Sequence, residues 1–260
     1  MRKCSKPEIL RDMKSFTQSP TEPAFVQNPY PAYDAMRALG PFVRWTDYDL
    51  ICTTSHAVTS AVLRDKRLGR QVPEELAPAP DAARAAFDGI EAHSMLELEG
   101  ADHMRLRGLV LRSFTSRGIA GLADGIRALC HTLVDQFPAG DFDLLDAYAR
   151  PVPVITIARL LGVPESAADD LLRWSNAMVA MYQARLTPQI IAEAEAATED
   201  FSAFIRAHLV HKRAEPGDDL ISTLLAAGDK INEAEMISTC ILLLNAGHEA
   251  TVHTLGNGVK

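Results

Sequence analysis

Leu242-Leu243-Leu244-Asn245-Ala246-Gly247-His248-Glu249-Ala250-Thr251 is the stretch that decides the fold. An apolar helical run meets two of the smallest residues, then an acid and a hydroxyl. Gly costs ~1 kcal/mol against Ala inside a helix. Its use there lets a flat group approach the backbone, or lets the carbonyls open. Glu249 and Thr251 can move protons into the space so created. The combination points to a cofactor lying against a helix. Leu243, Gly247, Ala250 and Thr254 share one face at helical spacing. A close helix–helix crossing that needs small residues explains the same pattern.

The composition around this stretch is globular. The chain has 260 residues, 47% hydrophobic and 23% charged. Abundant Ala and few aromatics favour helix. The net charge of −8 argues against nucleic-acid binding, which needs a basic surface. The start, Met1-Arg2-Lys3-Cys4, is basic, but Arg11-Asp12 cut off Ile9-Leu10, so no signal-peptide apolar run forms. The longest apolar runs, 177–182 and 240–244, fall far short of the ~18 residues of a membrane span. A cytoplasmic protein with no membrane partner is expected. Cys4, Cys52, Cys130 and Cys240 are too scattered for a metal knuckle and read as free thiols.

The pattern predicts one domain: an irregular segment 1–28, a small sheet with the first helices over 29–70, a long loop over 71–101 and helices over 102–260. Pro7, Pro20 and Pro23 interrupt the first segment. Strands are expected at Phe42-Val43-Arg44-Trp45 and Leu50-Ile51-Cys52-Thr53-Thr54, and one helical turn near 82–87. Helices are expected at about 102–113, 118–136, 144–161, 166–182, 188–213, 218–226 and 233–256. Thr187-Pro188 is an N-cap followed by Pro at the first helical position. Asn232-Glu233-Ala234-Glu235 resembles a capping box.

Two further constellations bear on chemistry. His103, Arg107, Val110 and Phe114 fall on one helical stripe. A His and an Arg one turn apart form a two-donor clamp for paired carboxylates or a phosphate, with Phe114 as an apolar wall. A solvated basic face explains the spacing too. Arg105 and Arg112 lie on the opposite side, toward solvent or a partner. His248-Glu249-Ala250-Thr251-Val252-His253 imitates a zinc motif, but the second His comes one residue late. The two rings point about 140° apart, so no metal site is expected.

Taken together these segments resemble the N-terminal part of a soluble, bacterial-type cytochrome P-450, a haem-thiolate monooxygenase. Asn28-Pro29-Tyr30-Pro31 with Met36-Arg37-Ala38-Leu39-Gly40-Pro41 is similar to the family's opening helix and turn. Val62-Leu63-Arg64-Asp65-Lys66-Arg67-Leu68 resembles the end of its helix B. Asp102-His103-Met104-Arg105-Leu106-Arg107 with Ser113-Phe114-Thr115 resembles helix C. Leu160-Leu161-Gly162-Val163-Pro164 resembles the turn before helix F. Asp218-Asp219-Leu220-Ile221-Ser222 and Ala246-Gly247-His248-Glu249 resemble helices H and I. Order and spacing together make the match specific.

The resemblance implies a mainly α, multi-helical fold with a small N-terminal β-sheet. It implies haem as cofactor, with His103 and Arg107 on the propionates, Phe114 at the haem edge, and Ala246 and Gly247 over the distal face. It gives Glu249, Ala250 and Thr251 the positions of the oxygen-activating and proton-delivering residues. Met95, Leu96 and Leu243 would line the pocket for a small apolar organic substrate. Arg105 and Arg112 would face a ferredoxin- or flavodoxin-type electron donor. Two departures stand out. The family's usual Thr after the helix I acid is Ala250 here. The Cys loop that ligates iron is expected beyond Lys260, so the chain supplies no metal ligand, and alone is expected to be inactive. Ile241 and Leu244 are then expected to have packed against the missing part. The competing reading is a non-catalytic helical remnant that does not bind haem.

Overall fold

The computed structural model describes residues 13–114 and 116–259. Cys4 and the basic start of the chain, Thr115 and Lys260 lie outside the described residues. The protein is mainly helical with a small three-stranded sheet, and it divides into two compact units at Gly69/Arg70.

The first unit holds the sheet. Strands β1 (Ser15–Phe16), β2 (Phe42–Trp45) and β3 (Leu50–Thr53) lie in that order, β1 parallel and β3 antiparallel to β2. Helices α1 (Pro23–Gln27), α2 (Tyr30–Leu39) and α3 (His56–Arg64) complete it. Segment 1–28, expected to be irregular, therefore contributes a strand and a helix where it is described. Pro23 opens α1 rather than breaking it, because the first helical position needs no N–H donor. Alternation in β2 buries Val43 and Trp45, and Trp45 meets Phe16, Phe25 and Tyr48 edge-on.

The second unit contains α4 (Ala85–Glu91), α5 (Gly100–Ser113), α6 (Ser116–Asp135), α7 (Pro151–Leu161), α8 (Ala168–Val179), α9 (Pro188–Ala214), α10 (Leu220–Leu225) and α11 (Glu233–Val259). Helix α11 packs on α7, α8 and α9 around a core that includes Leu106, Leu161, Met178, Phe201 and Ile237. Two expected helices are shorter than the pattern suggested. The 144–161 stretch is a wide π turn at Leu145–Ala149, and Pro151 restarts the chain as α7. The 166–182 stretch has 3-10 turns on both sides of α8. Within the loop 71–101, α4 is more than one turn. Its first amides, Ala86 N and Phe87 N, donate to the Glu195 carboxylate of α9 at 2.6 and 3.0 Å, a cap too remote in sequence to foresee.

The caps read from sequence are present. Thr187 Oγ1 accepts from Ile190 N. Asn232 and Glu235 exchange reciprocal bonds at 2.9 Å and open α11. Gly162 ends α7 in the left-handed region (φ 84°), its amide donating to Ala158 and Arg159 carbonyls.

Burial along α11 changes halfway. From Glu235 to Ile241 every residue is buried; beyond Asn245 only His248 and Val252 are. Ile241 and Leu244, expected to face absent structure, are 1% and 0% exposed within the core, which corrects that expectation.

Candidate functional site

The site is built on α5 and the second half of α11. On α5, Leu106, Leu109 and Val110 face the core. His103 sits half-buried at the margin of that face, Arg107 is exposed one turn on, and Phe114 is half-buried at the end of the helix. His103 and Arg107 therefore lie one turn apart along α5.

Arg105 is engaged within the chain. Its guanidinium donates to Glu235 Oε1 at 2.6 Å, to Asp102 Oδ1 at 3.1 Å and to the Lys230 carbonyl at 2.7 Å. These bonds hold the Glu235 carboxyl below the usual carboxylate range and raise the Arg105 pKa. Arg105 is thus a strut from α5 to the start of α11; Arg112 is exposed.

On α11, Ala246, Glu249, Ala250 and Thr251 are exposed, while Gly247 and Leu243 are half-buried. A Cβ at Gly247 would collide with Ile157 Cδ1 of α7. An added methyl there would have to displace the Ile157 side chain at the α7–α11 crossing, and the small open face is Ala246 with Ala250. Nine residues on, a Cβ at Gly256 would come within 2.7 Å of Leu145 Cδ2 in the π turn before α7, so the close packing continues along the helix. Thr251 Oγ1 donates to the Gly247 carbonyl at 3.0 Å, which leaves its oxygen as an acceptor. Glu249 Oε1 lies 3.9 Å from His253 Nε2. Met95 and Leu243 are half-buried against the main core, and Leu96 is 38% exposed.

Cys240 is fully buried, and burial pushes its thiol up to about 12. A protonated, enclosed thiol is no metal ligand. Among the described residues no group of three His, Cys, Asp or Glu is placed to hold a metal ion, and His248 and His253 diverge, one buried and one exposed. Among them too, no helix is long and apolar enough to cross a membrane.

Sequence reasoning missed one polar cluster. Ser175 and Asn176 of α8 meet Asn245 and His248 of α11. The available signal was Asn245 and His248 three apart on a helix side otherwise filled by Ile241, Leu244 and Val252.

No family model matches the chain. It is 36% identical over 242 residues to vitamin D(3) 25-hydroxylase from Pseudonocardia autotrophica, covering 90% of this chain and 58% of that protein. It is 33% identical over 245 residues to the cytochrome P450 monooxygenase PikC from Streptomyces venezuelae, covering 90% and 56%. Among solved structures it superposes on P450BioI, crystallised with an acyl carrier protein bearing hexadec-9Z-enoic acid. That match has a TM-score of 0.84 and 29% identity, over 91% of this chain and 62% of that one. The chain thus spans about six-tenths of the length of the relatives it matches.

Proposed function

The chain belongs to the cytochrome P450 family over the portion it spans, and we propose that it forms the oxygen- and substrate-facing part of a haem-dependent monooxygenase. The observation that carries this reading is the exposed Ala246–Ala250 face of α11, flanked by Glu249 and Thr251. Methyl-sized side chains leave room for a flat ring there. The donor set fits haem as well: His103 and Arg107 present two N–H donors one turn apart, matched to two carboxylates.

Haem, when bound and reduced, supplies the activation of O2 for insertion into a C–H bond. The residues of this chain do the rest. His103 and Arg107 hold the propionates, and Phe114 covers the ring edge. Glu249, exposed at the end of the small face, takes protons from water and passes them inward. Thr251 accepts a hydrogen bond while donating its own to Gly247. Ala250 offers no hydroxyl, so proton traffic goes through Glu249, Thr251 and water. Met95, Leu96 and Leu243 bound an apolar organic substrate. A ferredoxin- or flavodoxin-type donor docks by Arg112. Cys240, buried with its thiol pKa raised, is not available as a thiolate ligand to iron.

Haem titration of the purified chain, followed by its absorption spectrum, tests this. Uptake is expected, with no thiolate-type Soret band after reduction and carbon monoxide. His103→Ala with Arg107→Ala is expected to weaken uptake at least tenfold, the scale of two charge-assisted hydrogen bonds. Unchanged affinity in the double variant removes the propionate assignment. No uptake at all favours the second reading, a helical module without haem.

A further inference from the structure

His248 follows Gly247 directly, yet its ring turns away from the exposed face into the α8–α11 interface, where it is 2% exposed. Nδ1 lies 3.1 Å from the Leu244 carbonyl oxygen and 3.2 Å from Ser175 Oγ. Nε2 lies 3.2 Å from the Oδ1 end of the Asn176 carboxamide. Ser175 Oγ donates to Asn245 Oδ1 at 2.6 Å.

Elementary bookkeeping of protons fixes the direction of these bonds at Nδ1, and leaves two states at Nε2: an imidazolium donating to Asn176 Oδ1, or a neutral ring accepting from a turned carboxamide. A carbonyl oxygen has no proton to give, so Nδ1 must carry one. Ser175 uses its single proton on Asn245, so its oxygen accepts from the same Nδ1–H. In a neutral ring Nε2 is then an acceptor, and the group facing it must donate. The carboxamide of Asn176 supplies that donor by a half-turn that brings its N–H2 to Nε2. Burial favours the neutral ring. Glu249 opposes burial and His253 assists it, both from α11; α8 presents Ser175 and Asn176, neither of which titrates.

We propose that His248 is a positioning residue: a one-way chain of hydrogen bonds, Asn176 to His248 to Ser175 to Asn245, locks α8 to the turn of α11 that carries the 246–250 face. The chain crosses between the helices at each step, so the face and α8 move together. The importance of that face rests on the monooxygenase reading; the hydrogen-bond chain does not.

The experiment uses the haem-free, 15N-labelled chain, so it stands apart from the haem titration. Long-range 1H–15N spectra at pH 7, with His248→Gln for assignment, are expected to show a neutral ring protonated at Nδ1. Asn176→Asp places an acceptor against Nε2 and is expected to raise the ring's titration midpoint by about one unit or more. Asn176→Leu, on α8, is expected to shift the Ala246, Glu249 and Ala250 amide resonances, while Asp170→Asn, on the same helix, leaves them in place. Asn176 is exposed, so both of its variants keep the fold even where His248→Gln does not. An Nε2–H tautomer, an imidazolium at pH 7, an unmoved midpoint in Asn176→Asp, or unmoved amides in Asn176→Leu each overturn the proposal.

Discussion

At the scale of single residues, Gly247 shows how one signal admits two causes, a flat ligand or a close helix crossing. Its smallness was legible, because a Gly inside an apolar helix needs a reason. What fills the space was not, since Ile157 lies ninety residues away in sequence and reaches it only through the α7–α11 crossing. Gly247→Ala gains ~1 kcal/mol of helix propensity but overpacks against Ile157, which typically costs ~1–3 kcal/mol. A net loss of about 1 kcal/mol in urea unfolding is expected, and Ile157→Ala in the same chain should abolish the added loss. Additive losses would mean the two side chains do not compete. His248 supplies a pH test. Its folded pKa lies below 6.5, so the unfolded chain binds more protons in the window just beneath that value. Stability from the neutral ring is present above pH 6.5 and is lost as pH falls through the folded pKa. Glu91, raised chiefly by burial, slopes the other way nearby. The wild-type curve minus that of His248→Gln isolates the histidine; a flat difference between pH 7 and 5 would sink the assignment.

At the scale of elements, caps and breakers were the most readable features, because their chemistry is local. Thr187-Pro188, the Asn232–Glu235 box and Leu161-Gly162 marked real boundaries. Elements held by distant partners were not legible. Helix α4 owes its first turn to Glu195, and β1 exists by pairing with β2. Gly162 joins both kinds of information. Its left-handed backbone is local, but a Cβ there would also strike the Asp219 side chain. Asp219 is the N-cap of α10, through Ser222 N at 2.8 Å, and the partner of Lys212 at 2.6 Å. Burial pushes the Asp219 carboxyl up, but these bonds outweigh it and hold the pKa below the usual value. Gly162→Ala is therefore expected to cost about 1–2 kcal/mol for the left-handed residue and about 1 kcal/mol more for the displaced cap. Thermal unfolding measures it. A loss no larger than that of Gly140→Ala (φ 88°), where nothing stands within 4 Å of an added Cβ, would show that Asp219 moves aside freely.

At the scale of the whole molecule, the order of segments identified the family before any geometry was known, while the division of the chain did not show in the pattern. Hydrophobic periodicity reports which residues face a core, not how many cores there are. The first unit closes on Met36, Val43 and Trp45; the second closes on a separate, larger cluster. Between α3, which ends at Arg64, and the 3-10 turn at Glu74–Leu76 the chain has no regular element, and residues 66–73 are exposed. That stretch offers Lys66, Arg67 and, once released from Glu97 and Glu99, Arg70 to trypsin. Arg67 is paired only locally, with Asp65 at 2.5 Å, which does not protect its peptide bond. Cleavage needs exposed backbone free of helix or sheet bonding, and this run joins the units and carries cationic side chains. Brief trypsin treatment is thus expected to yield a product starting within 67–71, read by mass, that retains the far-ultraviolet helical signal of α4 to α11. First cuts inside α6 or α9 would place the weakest backbone within the helical unit instead, and would contradict a helical unit whose stability comes from its own core.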